Sequence, residues 1–223
     1  RERESVDAMS FLNMFGVYAS GHEQRVSDDM RAYFTKDLFD YKIPDGVTSI
    51  RPYCFYNFWP EVPMRIVLPK TLKNISPHAF AECGVESVSI PGSVEEIADD
   101  AFEGSAIKEC TFGEGIKKIG NRAFMNGPQL TRLILPDSVE YIGDDAFSGM
   151  DTTEGAIVEI GEGIQHIGNQ AFDCKVRSMV IHRKFGAFQD GSYGYFDDNG
   201  DWHDAVWYGG RAENPAAIWD GVD

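Results

Sequence analysis

Residues 130–147 read LTRLILPDSVEYIGDDAF, and this stretch recurs with substitutions six times between Ile43 and Phe172. Take Leu135 as position zero, an apolar residue followed by Pro or Gly. Its equivalents are Ile43, Leu68, Ile90, Phe112 and Ile160. Four residues on stand Val47, Leu72, Val94, Ile116, Val139 and Ile164; seven on stand Ile50, Ile75, Ile97, Ile119, Ile142 and Ile167. Twelve on, phenylalanine appears every time: Phe55, Phe80, Phe102, Phe124, Phe147 and Phe172. A fixed period with one apolar residue per position is the signature of a solenoid, in which each repeat buries its apolar face only against its neighbours.

Position zero to phenylalanine is always twelve residues, whereas phenylalanine to the next position zero varies from nine to thirteen. All length variation therefore falls on one arc. The two longest arcs, Tyr56 to Pro63 and Ser148 to Gly155, are expected as solvent loops, where insertions are tolerated. Before position zero the chain alternates with period two (Leu133 and Leu135, Ile66 and Leu68), as a half-buried strand requires. Pro44, Pro69, Pro91 and Pro136 then stop the strand, because proline has no N–H to donate. Asp99-Asp100, Asn121, Asp144-Asp145 and Asn169 precede the Ala-Phe pair and predict a capped helical turn aiming each ring inward.

The flanks lack the repeat. Residues 1–37 are expected to form a helical cap: Met9, Leu12 and Phe15 recur at helical spacing, and Ser27-Asp28-Asp29 has the character of an N-cap. Residues 38–190 form the solenoid, six full repeats with partial ends, in which Ile181, Phe185 and Phe188 suggest a closing half coil. Residues 191–223 are expected as a hairpin cap and tail, since Asn199-Gly200 lies between aromatic-rich runs.

Composition narrows the function. The net charge of −16 disfavours nucleic acid and anionic membrane at long range. No apolar run approaches the roughly 18 residues of a membrane span, and Arg1 to Glu4 with the broken patch Phe11 to Tyr18 does not have the form of a secretory leader. The four cysteines suggest two disulfides until the register is applied. Cys110 stands where other repeats carry Ile66, Val88, Leu133 and Val158, and Cys54 stands at an alanine position. Cys83 and Cys174 lie four coils apart, roughly 19 Å at ~4.8 Å per strand, beyond the ~7 Å Cα limit of a disulfide. Four free thiols are expected.

No metal site, cofactor site or catalytic constellation is read from the chain. The five histidines have no ligand spacing. Asp197-Asp198-Asn199-Gly200-Asp201 lacks the sixth-position glycine and twelfth-position glutamate of a calcium loop. The outward strand positions are the more plausible functional face: Arg65, Val67, Glu109, Arg132, Ile134 and Glu159, with Ser87, Ser89, Thr111, Ser178 and Val180. Arg65, Glu109 and Arg132 are expected in one column, either binding a protein segment or forming modest cross-strand charge pairs. Trp59, with Trp202, Trp207 and Trp219, forms either a sugar-stacking platform or a seal on the end of the array.

The six-fold IPxSVxxIGxxAFxxC pattern, preceded by an LxxLxLP strand over Leu38 to Phe188, resembles the BspA-like class of leucine-rich repeats. The resemblance implies a right-handed solenoid with a parallel sheet on one face. It further implies a cell-surface or secreted bacterial protein that binds host or bacterial surface proteins, with no catalytic residues to carry over. Carbohydrate binding through the C-terminal aromatics and a pure spacer role are the alternatives. The consensus cysteine survives only near Cys83 and Cys174, and the flanking caps lie outside the motif.

Overall fold

A computed structural model describes residues 39–60, 63–152 and 154–182, with the backbone of five further short strands at Ser5–Val6, Gly186–Ala187, Tyr193–Phe196, Trp202–Asp204 and Ile218–Trp219. Two kinds of strand alternate along the repeats. Long strands are β2 (Phe39–Lys42), β4 (Met64–Val67), β6 (Ser87–Ile90), β8 (Glu109–Phe112), β10 (Arg132–Leu135), β12 (Ala156–Ile160) and β14 (Val176–Ile181). Two-residue strands lie between them: β3 (Ser49–Ile50), β5 (Asn74–Ile75), β7 (Glu96–Ile97), β9 (Lys118–Ile119), β11 (Tyr141–Ile142) and β13 (His166–Ile167). The result is a parallel β-solenoid of about six turns.

The short strands, preceded by β1 (Ser5–Val6), form one continuous seven-stranded sheet, β1-β3-β5-β7-β9-β11-β13. The isoleucine at position seven enters the core from each of the six repeat strands; Ile50, Ile97, Ile119 and Ile142 have no exposed surface. The long strands form two four-stranded sheets instead, β2-β4-β6-β8 and β10-β12-β14 with β18 (Ile218–Trp219), and no ladder joins β8 to β10.

A third side closes each coil without strands. The six phenylalanines stack in one column, ring centroids 4.8–5.3 Å apart and planes within 8° of parallel. Such parallel rings at that spacing are offset-stacked, which suits their quadrupoles. The first five phenylalanine N–H groups donate to the alanine carbonyl of the next coil: Phe55 to Ala79, Phe80 to Ala101, Phe102 to Ala123, Phe124 to Ala146 and Phe147 to Ala171, all at 2.7–2.8 Å. The geometry depends on left-handed residues on either side. Position ten has φ between 52° and 59° in every coil (Tyr53, His78, Asp100, Arg122, Asp145, Gln170). Position fourteen is left-handed at Asn57, Glu82, Gly104, Asn126 and Gly149. Alternating handedness turns the N–H groups of positions ten, twelve and fourteen along the stacking axis, so Asp100 donates to Asn121 O and Glu82 to Glu103 O as well. Left-handed backbone costs a non-glycine residue about 1–2 kcal/mol, and these inter-coil bonds offset it.

No helical turn is capped here. The Asp and Asn side chains at position nine instead accept from the same position one coil further on: Asn121 N–H to Asp99 Oδ1 (2.8 Å), Asp144 N–H to Asn121 Oδ1 (2.9 Å) and Asn169 N–H to Asp144 Oδ1 (2.7 Å). This ladder forces close packing on the preceding residue of the next coil. A Cβ on Gly120, Gly143 or Gly168 would stand 2.5 Å from that carboxylate or amide oxygen. Where position nine is Pro52 or Pro77, the following coil carries Ser76 or Ala98 instead of glycine.

The long arcs are not wholly solvent loops, because Phe58, Met150 and Thr152 tuck inward at 4–6% exposure. The expected half coil does not extend the short-strand sheet: β15 (Gly186–Ala187) pairs antiparallel with β16 (Tyr193–Phe196), which pairs antiparallel with β17 (Trp202–Asp204). Part of the expected tail, Ile218–Trp219, is a parallel strand against Val180–Ile181 of β14. The helical cap expected for 1–37 lies outside the described residues, except that Ser5–Val6 is a strand beside β3. Most of the cap expected for 191–223 lies outside them too.

Candidate functional site

The outward long-strand face carries the residues singled out from the sequence, but in a different arrangement. Arg65 and Glu109 share a column through Ser87, since Arg65 registers with Ser87 and Ser87 with Glu109. Arg132 does not continue that column. It belongs to the other sheet, in register with Ile157. Ser87, expected outside, is only 6% exposed; the Arg65 side chain bends across it, with Nε donating to Ser87 Oγ at 3.4 Å while Nη1 lies 3.5 Å from Asp40. Arg132 reaches Glu159 at 3.0 Å. Both pairs are solvent-exposed, which limits each to about 0–1 kcal/mol. Ser89 and Thr111 are exposed and bond to each other at 2.7 Å. Val67 is half-buried, whereas Ile134 is 45% exposed beside Arg132.

The interruption between β8 and β10 is the chief irregularity of this face. β8 is the long strand whose inward positions depart furthest from aliphatic: Cys110 replaces a branched residue, and Phe112 occupies position zero, only partly buried and edge-on to Phe124 at 5.6 Å. The arc leading to β10 contains Asn126-Gly127-Pro128, and its Gln129 N–H donates to Ile107 O at 2.7 Å. One coil earlier the equivalent residues bond two positions further back, Ala106 N–H to Cys83 O. The approach to β10 is thus shifted against β8. A cleft of about 430 Å³ lies at this shift, lined by Lys108, Glu109, Gln129, Thr131, Asp151 and Thr152. Of the predicted site residues only Glu109 lines it; Arg132 follows the lining residue Thr131 in sequence, and Ile134 stands two residues further along β10.

On the short-strand face an unanticipated row runs from coil to coil. Lys118 Nζ lies 2.7 Å from Glu96 and 5.8 Å from the centroid of the Tyr141 ring, which stacks on His166 at 4.3 Å and 5°. The hydrogen bond to Glu96 raises the Lys118 pKa. Burial holds the His166 imidazole below its ordinary value, against the opposing pull of Asp144.

All four cysteines are free thiols. Burial pushes Cys83 and Cys174 up to about 12 and raises Cys110 as well. A thiol held so far from its thiolate is a packing group, not a nucleophile. Among the described residues no group of three or more His, Cys, Asp or Glu is placed to hold a metal ion, and no helix is long and apolar enough to cross a membrane.

Of the aromatics proposed as a platform, Trp59 is half exposed in the first coil. Trp202 lies in β17 and Trp219 in β18, with both side chains outside the described residues, as is Trp207. The sequence reading missed Tyr53 and Tyr56, which add two more exposed rings to the coil of Trp59. Elsewhere in the repeat neither position holds Tyr, Trp or Phe, and that contrast was the available signal.

The architecture defines a leucine-rich-repeat type of parallel solenoid with a mixed polar outer face. The profile of the BspA type leucine rich repeat region matches in six copies across residues 48–177, and the chain belongs to that family. Its members are generally bacterial surface proteins and typically non-enzymatic. None of the curated proteins matches the chain.

Proposed function

We propose that this chain is a non-enzymatic protein-binding module of a cell-surface or secreted bacterial protein, engaging its partner through the long-strand face around the β8/β10 interruption. The observation that carries the reading is the interruption itself. Six well-matched repeats could have made one unbroken sheet, as they do on the short-strand face. Instead a cleft of about 430 Å³ lined by polar side chains opens there, and β10, which follows the lining residue Thr131, carries the exposed apolar Ile134 in register with Glu159, itself paired with Arg132. An exposed aliphatic anchor ringed by charged and amide groups is the composition of a small protein-recognition site, with an apolar centre and a polar rim. Family membership supports the same class of function and offers no catalytic chemistry to set against it.

The test is solid-phase binding of the purified chain to a panel of host matrix proteins and bacterial envelope proteins. Saturable binding to a panel member is expected, weakened at least tenfold by Arg132→Glu with Ile134→Asp at an unchanged thermal midpoint. Binding that ignores the double variant, or none across the panel, turns against the reading.

A further inference from the structure

The first coil displays three exposed aromatic rings, two of them at positions where the other coils need none. Tyr53, Tyr56 and Trp59 are 55%, 50% and 50% exposed, and Ile134 is the one other large hydrophobic so exposed among the described residues. The repeat supplies its own control. The positions equivalent to Tyr53 hold His78, Asp100, Arg122, Asp145 and Gln170, all at the same left-handed φ. Those equivalent to Tyr56 hold Ala81, Glu103, Met125, Ser148 and Asp173. Five coils make the same turn without Tyr, Trp or Phe at either place.

The rings are also held in place. Trp59 lies against Gly84, where a Cβ would stand 2.5 Å from its Cε3, and its Nε1–H donates to Asn57 Oδ1 at 3.1 Å. Tyr53 stacks on His78 at 4.9 Å and 12° and meets Tyr56 edge-on at 5.5 Å. Acid borders the patch. His78 lies 3.8 Å from Asp100 and 4.0 Å from Glu103. Glu82 occupies the corner one coil beyond Asn57, with no ion pair among the described residues. Arg122 engages Asp100 with two hydrogen bonds, at 2.7 and 2.9 Å, and also faces Glu103 and Asp99, so with Glu82 the border keeps a net negative charge.

We propose that this patch docks an Arg- or Lys-bearing segment of a partner protein, its cations over the Tyr53 and Trp59 rings and against Glu82 and Glu103. Guanidinium and ammonium groups are attracted to the faces of Trp and Tyr. A net charge of −16 draws a basic segment in from a distance. Aromatic residues fixed at a surface lose little side-chain freedom on binding, which is why Tyr and Trp anchor interfaces. The patch lies on the phenylalanine side of the coil. It shares with the preceding proposal the notion of a protein partner, but it uses different residues and is tested without that partner.

The experiment titrates the full chain with a synthetic peptide of alternating Arg and Gly-Ser units at physiological salt, beside a Lys-free, Arg-free peptide and neutral gluco- and chito-oligosaccharides. Saturable binding of the basic peptide alone is expected. Tyr53→Ser with Trp59→Ala, which leaves the charge unchanged, should weaken it at least tenfold, and Glu82→Gln with Glu103→Gln several-fold. Tyr53→His with Trp59→Phe guards against misfolding: it should keep the wild-type thermal midpoint and part of the affinity. Arg132→Gln with Ile134→Ser should bind as wild type, so failure of the sheet-face reading leaves this one standing. Peptide binding unaffected by loss of the rings would reduce it to general electrostatics and overturn the proposal. So would absent peptide binding, or ring-dependent binding of an oligosaccharide instead.

Discussion

The short-strand face and the long-strand face are built from the same six repeats, yet only the first closes into a single sheet. The difference lies in what feeds each strand. A short strand follows position zero by a constant number of residues and inserts an isoleucine in every coil, so each copy meets its neighbour in register. A long strand follows the variable arc, and its inward positions range over Met64, Cys110, Leu133 and Phe112. Register therefore has to be restored six times on that side, and between β8 and β10 it is not. Regularity in this fold is a property of the invariant segment, and freedom to build a site belongs to the arc and the strand after it.

The most damaging probe of that contrast cuts the phenylalanine column, which like the short-strand sheet runs unbroken through all six coils. Phe124→Ala should cost about 3–5 kcal/mol, because the ring has no exposed surface and stacks on two neighbours and against Phe112. In a nearest-neighbour array the loss should also separate denaturant unfolding into two steps. A single transition with a shift below 1 kcal/mol would show that the column is not what couples the coils.

Ion pairs on the phenylalanine side and on the long-strand face should then rank by burial. Arg122→Ala strands the Asp100 carboxylate, whose side chain is 9% exposed, and should destabilise by about 1–3 kcal/mol. Arg132→Ala frees only a surface pair and should cost no more than about 1 kcal/mol. Equal midpoints in urea for the two variants would erase the distinction.

The break itself can be challenged by restoring aliphatic residues to β8. With Cys110→Val and Phe112→Ile, amides of Arg132–Leu135 should gain hydrogen-exchange protection if packing opened the sheet. Protection unchanged from wild type would place the cause in the Asn126–Gln129 arc.

The smallest effect is in pH. His166 titrates below its ordinary value of 6.5 in the folded chain because burial disfavours its charge. The folded state thus binds fewer protons than the unfolded one. Its contribution to stability is complete above about pH 6.5 and is lost as pH falls toward the depressed pKa. Thermal midpoints at pH 7.5 and 5.5 should converge slightly in His166→Gln relative to wild type; an identical pH difference in both would remove His166 from the account.

The core was legible because each inward position is filled by one kind of residue in copy after copy. That register also identified the cysteines as packing groups. The left-handed corners were not legible, since Tyr53, His78, Asp100, Arg122, Asp145 and Gln170 carry no glycine signature to announce positive φ. Nor was the aim of Asp99, Asn121 and Asp144, whose oxygens reach the next coil instead of their own turn. A local rule for capping has no means of anticipating a partner 22 to 25 residues away. The long-strand face was half legible: Arg132, Ile134 and Glu159 are on its surface, but periodicity alone placed Glu109 and Arg132 in one column across a break.

The ladder of Asp and Asn oxygens also imposes a syntax on the array. A coil bearing Asp99, Asn121 or Asp144 must be succeeded by one with glycine just before that position, while a coil bearing Pro52 or Pro77 is succeeded by serine or alanine there. Duplicating the coil that contains both Gly120 and Asn121 in tandem would produce a grammatical neighbour on each side. Moving the coil of Ala98 to follow Asn121 would not, because its methyl group would meet the amide oxygen. The six copies are alike in outline but not interchangeable, and their order is written into pairs of residues that touch only across a boundary.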